Sequence, residues 1–142
     1  MRALIITFAA LISSCTHATY HLAPEIETEG RVVDSEWREI AKKKFPDEQR
    51  AVERAFKVNV QCGGKMGVDS KGRPIRGHLS LNEKVILIDC KQSVRASALT
   101  HERNHLLLKY MGFKDWQGHD NPLWPKLDLI EIKIRQNVKS KD

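Results

Sequence analysis

Residues 99–124 read LTHERNHLLLKYMGFKDWQGHDNPLW, and the pentad His101-Glu102-Arg103-Asn104-His105 inside them decides how the rest of the chain is read. On a helix, side chains four apart stack on one face, so both imidazoles reach a common point while Glu102 sits about 100° round the axis. Two histidines so placed suit a tetrahedral Zn²⁺, and the glutamate is left to handle a metal-activated water. A chain with six histidines in 142 residues produces such a pentad by chance roughly 0.02 times. A metal-binding helix is therefore a better reading than two surface histidines.

The pattern around the pentad predicts that helix from about Ser93 to Tyr110, with Ser93 as its cap, Gly112 as a left-handed stop and Phe113 as the apolar residue that accompanies such a stop. A final helix is expected from Leu123 to about Val138, with Leu127, Ile130, Ile134 and Val138 on one face. Upstream, Lys57–Cys62 alternates with period two, Gly77–Leu81 is a possible strand, and Glu83–Asp89 carries the β-branched run of a firm one. Two or three antiparallel strands are thus expected just before the motif helix. Two helices precede them: one starts at Asp34 or Ser35 and ends at Pro46, and one spans Asp47–Phe56 with Ala51, Val52, Ala55 and Phe56 as its core face. The fold class is α+β, a short antiparallel sheet followed by the motif helix and a C-terminal helix.

A catalytic zinc site needs a third protein ligand and an open fourth position. With Leu at 108 and Met at 111, the metzincin spacing HExxHxxGxxH is excluded. His119 lies beyond the Gly112 turn, where the chain can double back and offer it to the metal. Asp120 and Glu131 are alternative ligands, and either can instead serve as a hydrogen-bonding partner of a ligand. Trp116 and Trp124 flank His119; packing the loop is their commoner role, substrate stacking the second.

With these residues in place, the stretch resembles a zincin-type metallopeptidase and looks most like SprT-like proteins. The likeness rests on His101, Glu102, His105, His119 and the segment Gly118–Trp124, about 26 of the 142 residues. It departs at Asp120, where SprT-like proteins usually carry Gly, and those proteins act inside cells on DNA-associated substrates. The resemblance implies a small zincin-like domain, a single zinc on His101, His105 and His119, and peptide-bond hydrolysis with Glu102 as general base. Tyr110, Arg103 and His78 are candidates to assist the oxyanion, and the strand around Val85–Ile88 is the expected edge against which a peptide substrate lies.

The N-terminus follows another logic. Arg2, an apolar run from Ala3 to Ile12 and Ser13-Ser14-Cys15 read as a signal peptide over 1–14 with a lipobox, so that Cys15 is lipidated and the chain is a cell-envelope lipoprotein held to a membrane by its lipid. Ordinary cleavage after Ala18 would instead release a soluble secreted protein. Residues 15–33 read as a tether, and 34–142 as the domain. In that oxidising setting Cys62 and Cys90 are expected to form a disulfide, worth roughly 3 kcal/mol in the chain-entropy model.

Charge adds a weaker constraint. Lys and Arg total 24 against 18 Asp and Glu, a net +6; on an exported chain this suits anionic headgroups, wall polymer or an acidic protein, and no nucleic-acid partner is expected. The reading from a different class is a non-catalytic envelope lipoprotein that binds protein or wall partners, its zinc structural or absent.

Overall fold

The computed structural model describes residues 18–63, 66–80, 84–91 and 95–139. In order, the elements are strand β1 (Tyr20–His21), helix α1 (Pro24–Lys44), a 3₁₀ turn (Pro46–Glu48), helix α2 (Gln49–Phe56), strands β2 (Asn59–Cys62), β3 (Gly77–Ser80) and β4 (Val85–Ile88), then helices α3 (Arg95–Tyr110) and α4 (Trp124–Lys139). The α+β class holds. The signal peptide, Cys15 and the Ser93 cap fall outside the described residues.

Helix α1 begins at Pro24, ten residues before the expected start, so the segment read as a tether is largely part of the fold. Proline at the first helical position, Glu25 and Glu27 in the first turn and Lys42, Lys43 and Lys44 in the last all agree with the helix dipole. Its buried stripe is Gly30, Val33, Asp34, Trp37 and Ala41, helical spacing in which Gly30 and the buried Asp34 interrupt the apolar pattern. Gly30 is there for contact: a Cβ on it would sit 3.4 Å from the Tyr20 ring.

The sheet also departs from expectation. Its order is β1-β2-β4-β3; β1 and β4 both run parallel to β2, and only β3 and β4 are antiparallel. The sheet is therefore mixed, not antiparallel. The chain leaves β2, passes through a long loop to the far edge, and returns as β4 into the middle, where Ile86 and Ile88 are buried beside Val60. Composition and alternation place β2, β3 and β4 but not β1, and they carry no information on which strand is central. Cys62 and Cys90 form the expected disulfide, tying the ends of β2 and β4 together.

Helix α3 packs against α1, α2 and α4 and against β3 and β4. It is the hub, and its polar residues do much of the joining. Arg103, fully buried, donates from Nε and Nη2 to the two Asp34 carboxylate oxygens (2.9 and 2.6 Å) and from Nη1 to the carbonyls of Ala55 and Val58 (2.6 and 2.8 Å). The Tyr20 hydroxyl donates to the same Asp34 carboxylate. Next to it on α3, Asn104 accepts from the Trp37 indole (2.9 Å) and donates to the Leu127 carbonyl (3.1 Å), linking α1 to α4. A Schellman arrangement closes α3: Gly112 has φ 93°, its N–H bonds Lys109, and the Phe113 N–H bonds Leu108.

Two stability tests follow. Removing Asp34 leaves the Arg103 guanidinium buried without its counter-ion, so Asp34→Ala should cost about 3–5 kcal/mol in urea unfolding. Reduction of the Cys62–Cys90 bond should cost roughly 3 kcal/mol, read as a lower Tm in reductant that a Cys62→Ser/Cys90→Ser double variant shows without reductant.

Candidate metal centre

His101 and His105 project from one face of α3, and the loop after Gly112 brings His119 to meet them. That loop is held by Asn121, whose side chain donates to Asp115 (3.1 Å) and accepts from the Leu123 N–H (2.9 Å), setting the start of α4. The three Nε2 atoms form a triangle with every side 3.2 Å. These three side chains can hold a metal ion, and they are the one such group of His, Cys, Asp and Glu found among the described residues.

The chemistry of the donors supports that use. The Nδ1 of His105 lies 2.7 Å from the Trp116 carbonyl, which can only accept, so Nδ1 carries the proton and Nε2 presents a lone pair. On His101, Nδ1 faces the Glu131 carboxylate at 3.8 Å, again directing a lone pair from Nε2 into the triangle. Two lone pairs 3.2 Å apart repel unless a cation lies between them, and one remaining proton on His119 cannot satisfy all three sides. Backbone carbonyls and carboxylates behind ligating imidazoles are the arrangement that fixes ring orientation in metal sites.

Electrostatics favour the neutral, lone-pair-bearing form at His105 and His119 and oppose it at His101. Burial lowers the His105 pKa to about 4, with the charges of His101 and His119 acting in the same sense and the Trp116 carbonyl opposing, so its imidazole is neutral at pH 7. Burial also opposes charge on His101, but the Glu131, Glu102 and Asp128 carboxylates outweigh it and raise the pKa. For His119, burial and the His101 charge lower the pKa, Asp128 and Asp120 oppose, and Arg73 adds to the lowering. Glu131 is kept ionised: burial opposes it, while His101, Ser97 and Arg135 prevail. Of the two alternative ligands, Glu131 thus stands behind His101, and Asp120 does not join the converging atoms.

Glu102 points elsewhere, as its position on the helix requires. Its carboxylate packs against Gly77 at the start of β3, where a Cβ would come within 2.9 Å of Oε1, so glycine is needed for the approach. Burial pushes its pKa up to about 7, against the lowering effect of His101. A cleft of about 740 Å³ opens here, walled by His101, Glu102 and His119 on one side and by Arg73, Arg76 and Gly77 on the other.

The edge of the sheet at this cleft is β3, since β4 lies between β2 and β3; the expectation that Val85–Ile88 forms the edge is corrected. The Asp89 N–H bonds the Arg76 carbonyl (2.8 Å), and in the antiparallel register this turns the backbone groups of Arg76, His78 and Ser80 toward β4. Those of Gly77 and Leu79 face the open side.

Of the oxyanion candidates, Arg103 is removed by its buried bonds to Asp34, Ala55 and Val58. Tyr110 lies under the Arg54 guanidinium, and neither it nor His78 lines the cleft. The role of Trp124 was not legible in advance. It is buried at the start of α4, with ring centroids 5.2, 4.6 and 4.4 Å from those of His101, His105 and His119, and so floors the triad. The sequence marks Gly77 only as the start of a possible strand, with nothing to show that Glu102 packs on it.

Set beside models of known families, curated proteins and solved structures, the chain matches none of them.

Metal content should separate the roles of these residues. His105→Ala should abolish tight binding of one metal equivalent, and Glu131→Ala should weaken it about 10–100-fold while leaving the fold intact, as measured by competition with a chromogenic chelator.

Proposed function

We propose that this domain is a zinc-dependent peptidase of zincin type, acting on protein or peptide substrates in the cell envelope. The observation that carries the reading is the pairing of an open three-imidazole triad with a buried Glu102 whose pKa is pushed up to about 7. Zn–N bonds of about 2.0–2.1 Å in a tetrahedral site put ligand nitrogens about 3.3 Å apart, close to the 3.2 Å triangle. Three protein ligands with a fourth position facing a cleft favour a catalytic ion over a structural one. The likeness of the 99–124 stretch to SprT-like proteins points the same way.

Zinc held by His101, His105 and His119 would supply Lewis acidity to a water and to the scissile carbonyl. The work of the chain is then to position and to move a proton. An extended peptide laid along β3 can pair with the outward N–H and C=O of Gly77 and Leu79, which brings its backbone beside Glu102. Glu102, poised near neutrality, accepts the proton of the attacking water and delivers it to the departing amine. Trp124 beneath the imidazoles and Glu131 and Trp116 behind them hold the triad in place.

Export as a lipoprotein belongs to the same proposal, supported by the Ile12–Cys15 lipobox and by a disulfide of the kind oxidising compartments maintain. No described helix is long and apolar enough to cross a membrane; the proposed attachment is the lipid on Cys15.

The test is Glu102→Gln. It should keep the bound metal and lose about 10²-fold or more in hydrolysis of an unstructured protein such as casein. Unchanged hydrolysis by the metal-loaded variant would remove Glu102 as the base, and a wild-type protein that binds no zinc at micromolar concentration would end the peptidase reading.

A further inference from the structure

The cleft has a second wall that the hydrolytic reading does not use. Between β2 and β3 the chain makes a small hairpin, with Val68 bridged to Pro74 and the Ile75 N–H bonded to the Gly67 carbonyl (3.1 Å). Its turn is tightly specified. Asp69 accepts from the backbone N–H groups of Lys71 and Arg73 (2.8 and 2.9 Å), and Gly67 and Gly72 take the positive φ values, 77° and 74°, that the bends need. The same Asp69 then accepts from Arg73 Nε at 2.8 Å. This fixes the direction of the guanidinium, whose hydrogen-bond and ion-pair partner among the described residues is Asp69, and the side chain stays 71% exposed. Arg73 and Asp69 line the same cleft as His101, Glu102 and His119, and the charge of Arg73 reaches His119.

A guanidinium braced through Nε and otherwise exposed in a cleft presents a fork that a carboxylate can fill with parallel bonds. Its place along a bound peptide follows from the edge strand. Antiparallel pairing is the more stable mode, and a guest running antiparallel to β3 has its earlier residues beside Leu79 and its later residues beyond Gly77, toward the hairpin. Glu102 touches Gly77, so the bond to be cut lies there and Arg73 lies past it.

We propose that Arg73, oriented by Asp69, is a specificity-determining residue that binds a carboxylate on the C-terminal side of the scissile bond. The inference rests on the peptidase reading and names its substrate class: peptides with an acidic side chain, or their own C-terminal carboxylate, shortly after the cleavage point. Arg76 lies in the same wall and strengthens the preference for negative charge.

Three fluorescent peptides of one neutral sequence distinguish the sources. One has an amidated C-terminus, one has a free C-terminus two residues after the intended cleavage point, and one is amidated with Glu at that position. Binding is measured by anisotropy on zinc-loaded Glu102→Gln protein, and cleavage on the wild type, each with and without Arg73→Gln and Arg73→Lys. Either carboxylate should tighten binding about tenfold over the neutral peptide; Arg73→Gln should erase that gain and Arg73→Lys should restore part of it. Whichever of the two carboxylate peptides shows the gain identifies the source. A gain that survives Arg73→Gln, or no gain from either carboxylate, overturns the inference. Cleavage of the neutral peptide by the wild type assigns such a failure to the specificity site and leaves the peptidase reading standing, whereas an Arg73-dependent gain in binding without cleavage of any peptide retains the carboxylate site and removes the peptidase.

Discussion

The interaction on which the rest of the structure depends is the buried pair of Arg103 and Asp34. A guanidinium and a carboxylate at 0% and 1% side-chain exposure are tolerable only if their bonding capacity is met. It is met by Tyr20 from β1, the end of α2 at Ala55, and Val58 ahead of β2. Five pieces of chain thus converge on one charge pair, and α3 cannot rotate or slide without breaking it. Arg103 is also the central residue of the pentad, so the group that locks α3 into the domain lies between the two histidines that α3 presents to the cleft.

This gives the pentad a division of labour set by helix geometry. His101, Glu102 and His105 turn outward to the triad and cleft, while Arg103 and Asn104, at about 200° and 300° from His101, turn inward to Asp34, Trp37 and Leu127. The inner pair determines where the outer three stand. What α3 does not settle is supplied by α4 and the loop before it, through Trp116 behind His105, Glu131 behind His101 and Trp124 below all three rings. Such support matters because imidazoles are useful to a metal only when their lone pairs are aimed before the ion arrives.

The cleft is asymmetric in a way that follows from the sheet. Since β4 fills the centre, the chain must reach the far edge first, and the loop that takes it there becomes the wall opposite the histidines. Edge strands must be covered, charged or used. Here the outward backbone groups of Gly77 lie beside the buried Glu102 carboxylate, in the cleft that Arg73 also lines.

The sequence by itself determined a histidine triad able to hold a metal ion, the α+β class, the two C-terminal helices with the Gly112 stop, and the disulfide. Each depends on local periodicity, on residue types of narrow chemical use, or on there being few cysteines to pair. It misplaced the start of α1, because the stripe there is built from Gly30, Asp34 and Trp37, and a buried aspartate looks like a cap until its arginine is known to be 69 residues away. It also could not order the strands, since the alternation in Asn59–Cys62 and the apolar run Val85–Ile88 are the same whether they pair in parallel or not. Only the tertiary structure decided that β3 is the edge, that Gly77 makes room for Glu102, that Glu131 stands beside His101 Nδ1, and that Arg103 belongs to the core. The physical reason is common to all four: each is a pairing between groups distant in sequence, chosen by burial and by the need to satisfy charge and hydrogen bonds inside, and neither influence leaves a periodic trace along the chain.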